Sequence, residues 1–300
     1  ATVALLATAG LDFATPRLGA GGIFAARIGA GLGEGVLIWI AIGFIVRTAR
    51  PERWSGVYLA TQTLSQLAVA SVIGLYAASS GAGFTALGTV TLAAIVAVRG
   101  MPGAYAPLAA KGTDTGRPPP RGLLALGGVV LYLAFVVAVW VYVEPLALQH
   151  GLSPASVHLI APLSLAMQVL GAGAATVLAE RLPTRATIAI VGLINLGLLT
   201  VMAMPPSAAW FVVATAAFGF LWLFAMPFQV PAVIAADPTR RAAVLIGGAQ
   251  LVGSSLGPLL GGQLASEASV VPVLGFGAAC LVSGVAALVA SGRLRHSAAA

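Results

Sequence analysis

Thirteen of the fifteen Lys/Arg residues sit in the loops at one end of a ladder of long apolar stretches, and this spacing constrains the fold more than any other feature. Arg47, Arg50 and Arg53 form the first cluster, followed by Arg99, Lys111, Arg117 and Arg121. Arg181 with Arg185, Arg240 with Arg241, and Arg293 with Arg295 complete the set. Two apolar stretches separate each cluster from the next, so the chain is expected to cross a bilayer and return between them. Cytoplasmic loops carry excess Lys/Arg, which makes these the inside loops and puts the C-terminus in the cytoplasm. The opposite connections near 78–83 and 205–207 are uncharged, and those near 146–156 and 265–270 carry only His150 and Glu267. Arg17, near an outside turn, and Arg27, inside a span, are the exceptions.

An apolar helix of about 20 residues crosses the hydrocarbon core. Spans are expected near 1–11, 20–46, 54–77, 82–99, 122–145, 157–179, 186–204, 208–236, 242–264 and 271–291. The runs are long and do not alternate with period two, which favours helices over barrel strands and makes this an all-α integral membrane fold. Composition agrees, with 59% hydrophobic and 8% charged residues against about 25% charged in a soluble domain. The +7 balance is explained by membrane orientation, so nucleic acid is not an expected partner. Cys280 is the single cysteine, which excludes an internal disulfide. His150, His158 and His296 have no metal-ligand spacing, and no metalloprotease or nucleophile-elbow motif occurs, so neither a metal, a cofactor nor an enzyme is expected.

The chain also repeats itself. Pro51 and Pro238 are 187 residues apart, as are Arg53 and Arg240, each pair opening a new span. A shift of 187 superposes 208–236 on 21–49 and leaves 122–145 and 157–179 without counterparts. Parallel repeats of this kind build transporter halves. The expected domains are a partial N-terminal bundle over 1–99, a cytoplasmic linker over 100–121 containing Pro118-Pro119-Pro120, and a six-helix bundle over 122–300. Six spans against four lead to the expectation of an N-terminally truncated chain, with about 10 of 12 helices present.

Two bundles of six spans, a cytoplasmic central linker and a parallel repeat, as expected above, resemble the major facilitator superfamily, and local motifs strengthen the resemblance. Arg27 with Gly31 and Gly33 resembles its fourth-helix Arg-x-x-x-Gly-x-Gly signature, and Pro51 to Gly56 resembles the turn that follows that helix. Gly171 to Arg185 resembles the C-terminal loop motif after helix eight, and Gly257-Pro258 with Gly261-Gly262 resembles the Gly-Pro-x-x-Gly-Gly helix motif. Tyr142-Val143-Glu144-Pro145 looks like the end of helix seven in drug and sugar efflux permeases. On this resemblance the chain begins within helix three. The helix-five copy of Gly-Pro-x-x-Gly-Gly is degenerate, with Ala70 and Ser71 at the glycine-proline pair.

Arg27 and Glu34 are the two charges deepest in a span, seven residues apart and so on one helix face. A charge at the bilayer centre costs about 2.5–3.5 kcal/mol on insertion scales and generally faces a cavity or a partner. They are read as a proton or substrate relay, with Glu34 titrating; a structural pair, or an Arg27 reaching outward, remains the alternative. Gly29, Gly31, Gly33 and Gly35 are read as packing positions. Phe218, Trp222 and Gln229 form one helical stripe. The resemblance makes theirs helix ten, one of the cavity helices, and adds Tyr132, Trp140, Gln62, Gln66 and Gln250 as candidate cavity residues. Gln168 and Asn195 are further buried amides, Asn195 being read as glue between helices. Pro145 is expected to end or kink its helix and to make Glu144 a candidate gate. The resemblance gives Glu180, Arg181 and Arg185 a latching role, with Asp237–Arg240 and Glu52–Arg53 as further latches.

These features imply a secondary transporter that works by alternating access as a monomer among membrane lipids. It is expected to export small amphipathic compounds from a bacterial inner membrane with proton exchange. Uptake or facilitated transport of a sugar or other neutral metabolite is the alternative, as is a receptor-like relative that does not transport.

Overall fold

A computed structural model describes residues 1–69, 81–105 and 116–292 in full, and the backbone of 70–76 and 80. Lys111 and Asp114 of the linker, and Arg293, Arg295 and His296, lie outside the described residues, as do the side chains of Ala70 and Ser71. Among the described residues the chain forms eleven α-helices and no strand. They are α1 (Thr2–Ala14), α2 (Ala20–Ile45), α3 (Pro51–Tyr76), α4 (Ser80–Val98), α5 (Pro120–Gln149) and α6 (Pro154–Leu178). There follow α7 (Thr184–Ala203), α8 (Ala208–Ala236), α9 (Arg241–Val244), α10 (Ile246–Gly262) and α11 (Val271–Ala290).

Helix starts follow local chemistry. Proline occupies the first turn of α5, α6 and α11, where its missing N–H is no loss. Ser153 and Ser207 cap α6 and α8 by accepting from the Ser156 and Trp210 amides. Two boundaries differ from expectation. α5 continues through Pro145 to Gln149, because a proline costs one backbone bond and tight packing on both sides holds the helix together: Val143, Leu146 and Ala147 are buried. The expected span 242–264 is two helices, α9 and α10, separated at Leu245.

Among the described residues seven helices, α2, α4, α5, α6, α7, α8 and α11, are long and apolar enough to cross a membrane. α1 has only 13 residues and α10 only 17, while α3 carries Thr61, Gln62, Thr63, Ser65 and Gln66. The outer surface is apolar, with Val3 81%, Leu193 71% and Leu32 70% exposed. Water would not tolerate a surface of this kind, but lipid does, and the chain is an integral membrane protein.

In the first half α1 packs on α2 and α4. In the second half α5 packs on α10 and α11, and α8 packs on α6 and α7. Glycines set these approaches. A methyl at Gly253 would meet the Val130 carbonyl at 2.3 Å, and one at Gly257 the Ala134 carbonyl at 2.2 Å, so the backbones of α10 and α5 touch. The two halves meet where α3 lies on α6 and α8, and α2 on α10. Gly56 is at that seam, where a methyl would meet Thr176 Oγ1 at 2.4 Å. The start of the linker folds back on α2: the Tyr105 hydroxyl donates to the Ile40 carbonyl at 3.2 Å and Arg47 lies 4.4 Å over its ring.

Candidate functional site

The seam between the halves encloses a cavity of about 190 Å³. Its walls come from α2, α3, α5, α6, α8 and α10, because these are the helices that cross near the seam. Four glutamines line it: Gln62 and Gln66 from α3, Gln168 from α6 and Gln250 from α10. Tyr58, Thr63 and Ser254 add hydroxyls, and Trp222 with Leu133, Leu223 and Met226 supplies the apolar side. Among the described residues no charged one lines the cavity. The buried Gln168 Nε2 and Trp222 Nε1 meet no hydrogen-bond partner among the described residues, so both donors are available to a ligand.

The sequence candidates separate here. Gln62, Gln66, Gln250 and Trp222 stand on the cavity wall. Phe218 and Tyr132 do not: they are 0% and 1% exposed and pack with Phe135 in the core behind it. Trp140 backs Trp222 edge-on at 6.1 Å. Gln229 lies on the Phe218–Trp222 stripe but is buried in the helix packing outside the cavity. Asn195 donates to the Val191 carbonyl of its own helix at 2.9 Å, and among the described residues its amide nitrogen makes no bond to another helix. Sequence reasoning passed over Tyr58, Thr63 and Ser254, and left Gln168 unassigned. The shared polarity of Gln62, Thr63 and Gln66 was the signal that could have found Thr63.

A second polar cluster lies between α1, α2 and α4. Arg27 Nη2 approaches Asp12 Oδ1 at 2.9 Å and donates to Thr15 Oγ1 at 2.7 Å. The guanidinium also lies 5.0 Å from the Phe84 ring centroid. The Asp12 side chain is 4% exposed and that of Arg27 32%. Glycine brings the two helices together: methyls at Gly29 and Gly33 would meet Leu11 at 2.8 Å and Thr8 at 2.2 Å, whereas one at Gly31 would meet nothing. Of the four glycines, then, only one pair holds the α1 contact. The partner that Arg27 takes is Asp12, not Glu34. Asp12 was missed because the expected span ended at residue 11, whereas α1 continues to Ala14. Glu34 is exposed, within electrostatic reach of both Asp12 and Arg27.

At the arginine-bearing end, contacts among the described residues tie the halves together. Arg50 Nη1 lies 3.4 Å from Glu180 Oε2. Both side chains are partly exposed, and such pairs contribute about 0–1 kcal/mol. Arg240 Nη1 donates to the Val46 carbonyl at the C-terminal end of α2, where a cation also suits the helix dipole. The expected Asp237–Arg240 latch is not formed. Asp237 is fully buried and accepts from the Thr239 amide at 3.0 Å and the Ala242 amide at 2.8 Å, so its carboxylate is used up in capping α9. That turn puts Arg240 at φ +61°, the left-handed region, and aims its side chain across the seam. Among the described residues Glu52 and Arg53 form no ion pair; Glu52 sits in the first turn of α3, where a carboxylate suits the dipole. Arg185 donates to the Gly292 carbonyl at 2.9 Å, within its own half. Arg181 and Glu144 are exposed, and neither joins an ion pair among the described residues.

The arrangement matches solved proteins. A major facilitator superfamily transporter, FucP, in the outward conformation superposes with a TM-score of 0.74 at 13% identity, covering 96% of this chain and 81% of that one. A variant of the E. coli fucose:proton symporter FucP superposes with a TM-score of 0.70 at 12% identity, covering 96% and 82%. No family model matches the chain, and no curated protein sequence does. The chain has the all-helical fold of major facilitator superfamily transporters.

Proposed function

We propose that this protein is a secondary transporter that carries a small neutral solute through the seam cavity by alternating access. The observation that carries this reading is the glutamine lining. Four amides and three hydroxyls offer both donors and acceptors around Trp222, and among the described residues no charge lines the cavity to bind an ion of either sign. A neutral solute bearing several hydroxyls suits this set, and a fucose transporter among the structural neighbours fits the same chemistry. At about 190 Å³ the cavity is smaller than the roughly 300–1,000 Å³ of sites for drug-sized ligands. That favours neutral-metabolite transport over export of amphipathic compounds. The apolar wall of Leu133, Leu223 and Met226 keeps a small amphipathic substrate as the second reading.

In this proposal the units over 1–99 and 122–300 rock about the seam, with the arginine-bearing end in the cytoplasm and the linker there. Arg50–Glu180 and Arg240–Val46 hold that end closed, while Glu34, beside Asp12 and Arg27, takes up and releases the coupling proton. The test is counterflow in vesicles reconstituted with the protein. Saturable exchange of labelled neutral sugars or polyols, weakened by Gln250→Leu, supports the reading. Exchange only of amphipathic cations, untouched by Gln250→Leu, overturns it. Glu34→Gln tests the coupling: pH-driven transport that persists at normal expression removes Glu34 from the relay.

A further inference from the structure

On the outer face of the second half, α7 and α11 leave a groove of about 470 Å³ between them. Its lining is wholly apolar, including Ala189, Leu193 and Leu196 of α7 and Val282, Ala286 and Ala290 of α11. Small residues open it. Gly192 forms part of the floor, where a methyl would lie 2.9 Å from Val285 Cγ2. Four residues of α7, within 189–196, and six of α11, within 281–290, border it, a length of about 10–14 Å at the helical rise. An apolar groove of this length between two helices can seat part of a hydrocarbon chain.

One end carries a cation. Arg185 lies one turn before Ala189 on the same stripe of α7, so it stands at the groove's mouth. It donates to the Gly292 carbonyl, two residues past the end of α11, and thereby spans the mouth. The approach is close: a methyl at 292 would lie 2.0 Å from Arg185 Nη2 and would push the guanidinium aside. The guanidinium is held by one acceptor and has five N–H donors, and among the described residues no carboxylate pairs with it. It is exposed, at the membrane end where α7 begins.

We propose that this groove is a binding site for one anionic phospholipid, with an acyl chain between α7 and α11 and the phosphate on Arg185. The site rests on the chain's lying in a membrane and is independent of the transport reading. The test is native mass spectrometry of delipidated protein offered equal amounts of phosphatidylglycerol and phosphatidylcholine with identical acyl chains. The wild type is expected to retain one phosphatidylglycerol with about fivefold preference, the factor for a single arginine near an anionic headgroup. Arg185→Gln should lose the preference and keep a lipid, and Arg185→Lys should recover part of it. Ala286→Trp, which fills the groove from its exposed side, should lose the lipid. Should that variant not fold, Val282→Phe at the 53%-exposed rim is read in the same way. Full preference in Arg185→Gln, an undiminished lipid in the groove-filling variant, or displacement of the lipid by inorganic phosphate alone would overturn the proposal.

Discussion

Arg27 and Asp12 meet at 2.9 Å between α1 and α2, with Thr15 and the Phe84 ring completing the guanidinium's surroundings. The contact matters because Asp12 is buried while Arg27 is a third exposed. Removing one member of a fully buried pair costs about 3–5 kcal/mol, because the other charge is left uncompensated. Arg27 can still reach solvent or headgroups, so Asp12→Asn is expected to destabilise by less than that. Glu34 then becomes the carboxylate available to Arg27. Melting of Asp12→Asn, Glu34→Gln and the double variant in detergent checks this: the double variant should lose more than the sum of the singles. Strict additivity would show that Glu34 does not compensate for Asp12.

Cavity amides should act on affinity. A hydrogen bond contributes about 0.5–1.5 kcal/mol, so Gln62→Leu or Gln168→Leu is expected to raise KM about two- to tenfold with kcat little changed. Gln229→Leu, outside the cavity, should leave KM unaltered and alter folding stability instead. Counterflow kinetics and melting on the same preparations separate the two outcomes.

The ties at the arginine-bearing end should set the balance between the two access states. Arg240→Gln removes a charge-assisted bond to the end of α2, and Arg50→Gln removes an exposed ion pair. The first should matter more, since charge-assisted hydrogen bonds contribute about 1.5–3 kcal/mol and exposed pairs about 0–1 kcal/mol. A cysteine placed at Thr63, on the cavity wall, reports the change through labelling from the arginine-bearing side. Faster labelling in Arg240→Gln than in Arg50→Gln is expected, and equal slow labelling in both would show that neither tie closes that end.

Glycines of α10 should divide by geometry. Gly257→Ala pushes a methyl into the Ala134 carbonyl and the backbone around it, which cannot yield as a side chain would. Overpacking of this kind costs about 1–3 kcal/mol. Gly248 has nothing within 4 Å of its missing methyl, and Gly248→Ala should be neutral or stabilise by about 0.5–1 kcal/mol through backbone entropy. Thermal melting of the two variants gives the comparison directly.

The chain's own order of residues determined where the helices run and which ends carry the arginines. Burying or exposing a run of some twenty apolar residues is a local property, and so is a cluster of charges that will not enter hydrocarbon. The choice of Gln62, Gln66 and Gln250 as cavity candidates came from the family resemblance of their helices, and these three residues do line the seam cavity. Tertiary structure alone decided which charges meet. Arg240 reaches Val46 and Arg50 reaches Glu180 across well over a hundred positions of sequence, because α2 lies on α10 and α3 on α6. It also gave Arg27 to Asp12 rather than to Glu34 on the same helix. Spacing along one helix fixes a shared face, whereas a partner on another helix depends on how closely glycines such as Gly29 and Gly33 let two backbones approach.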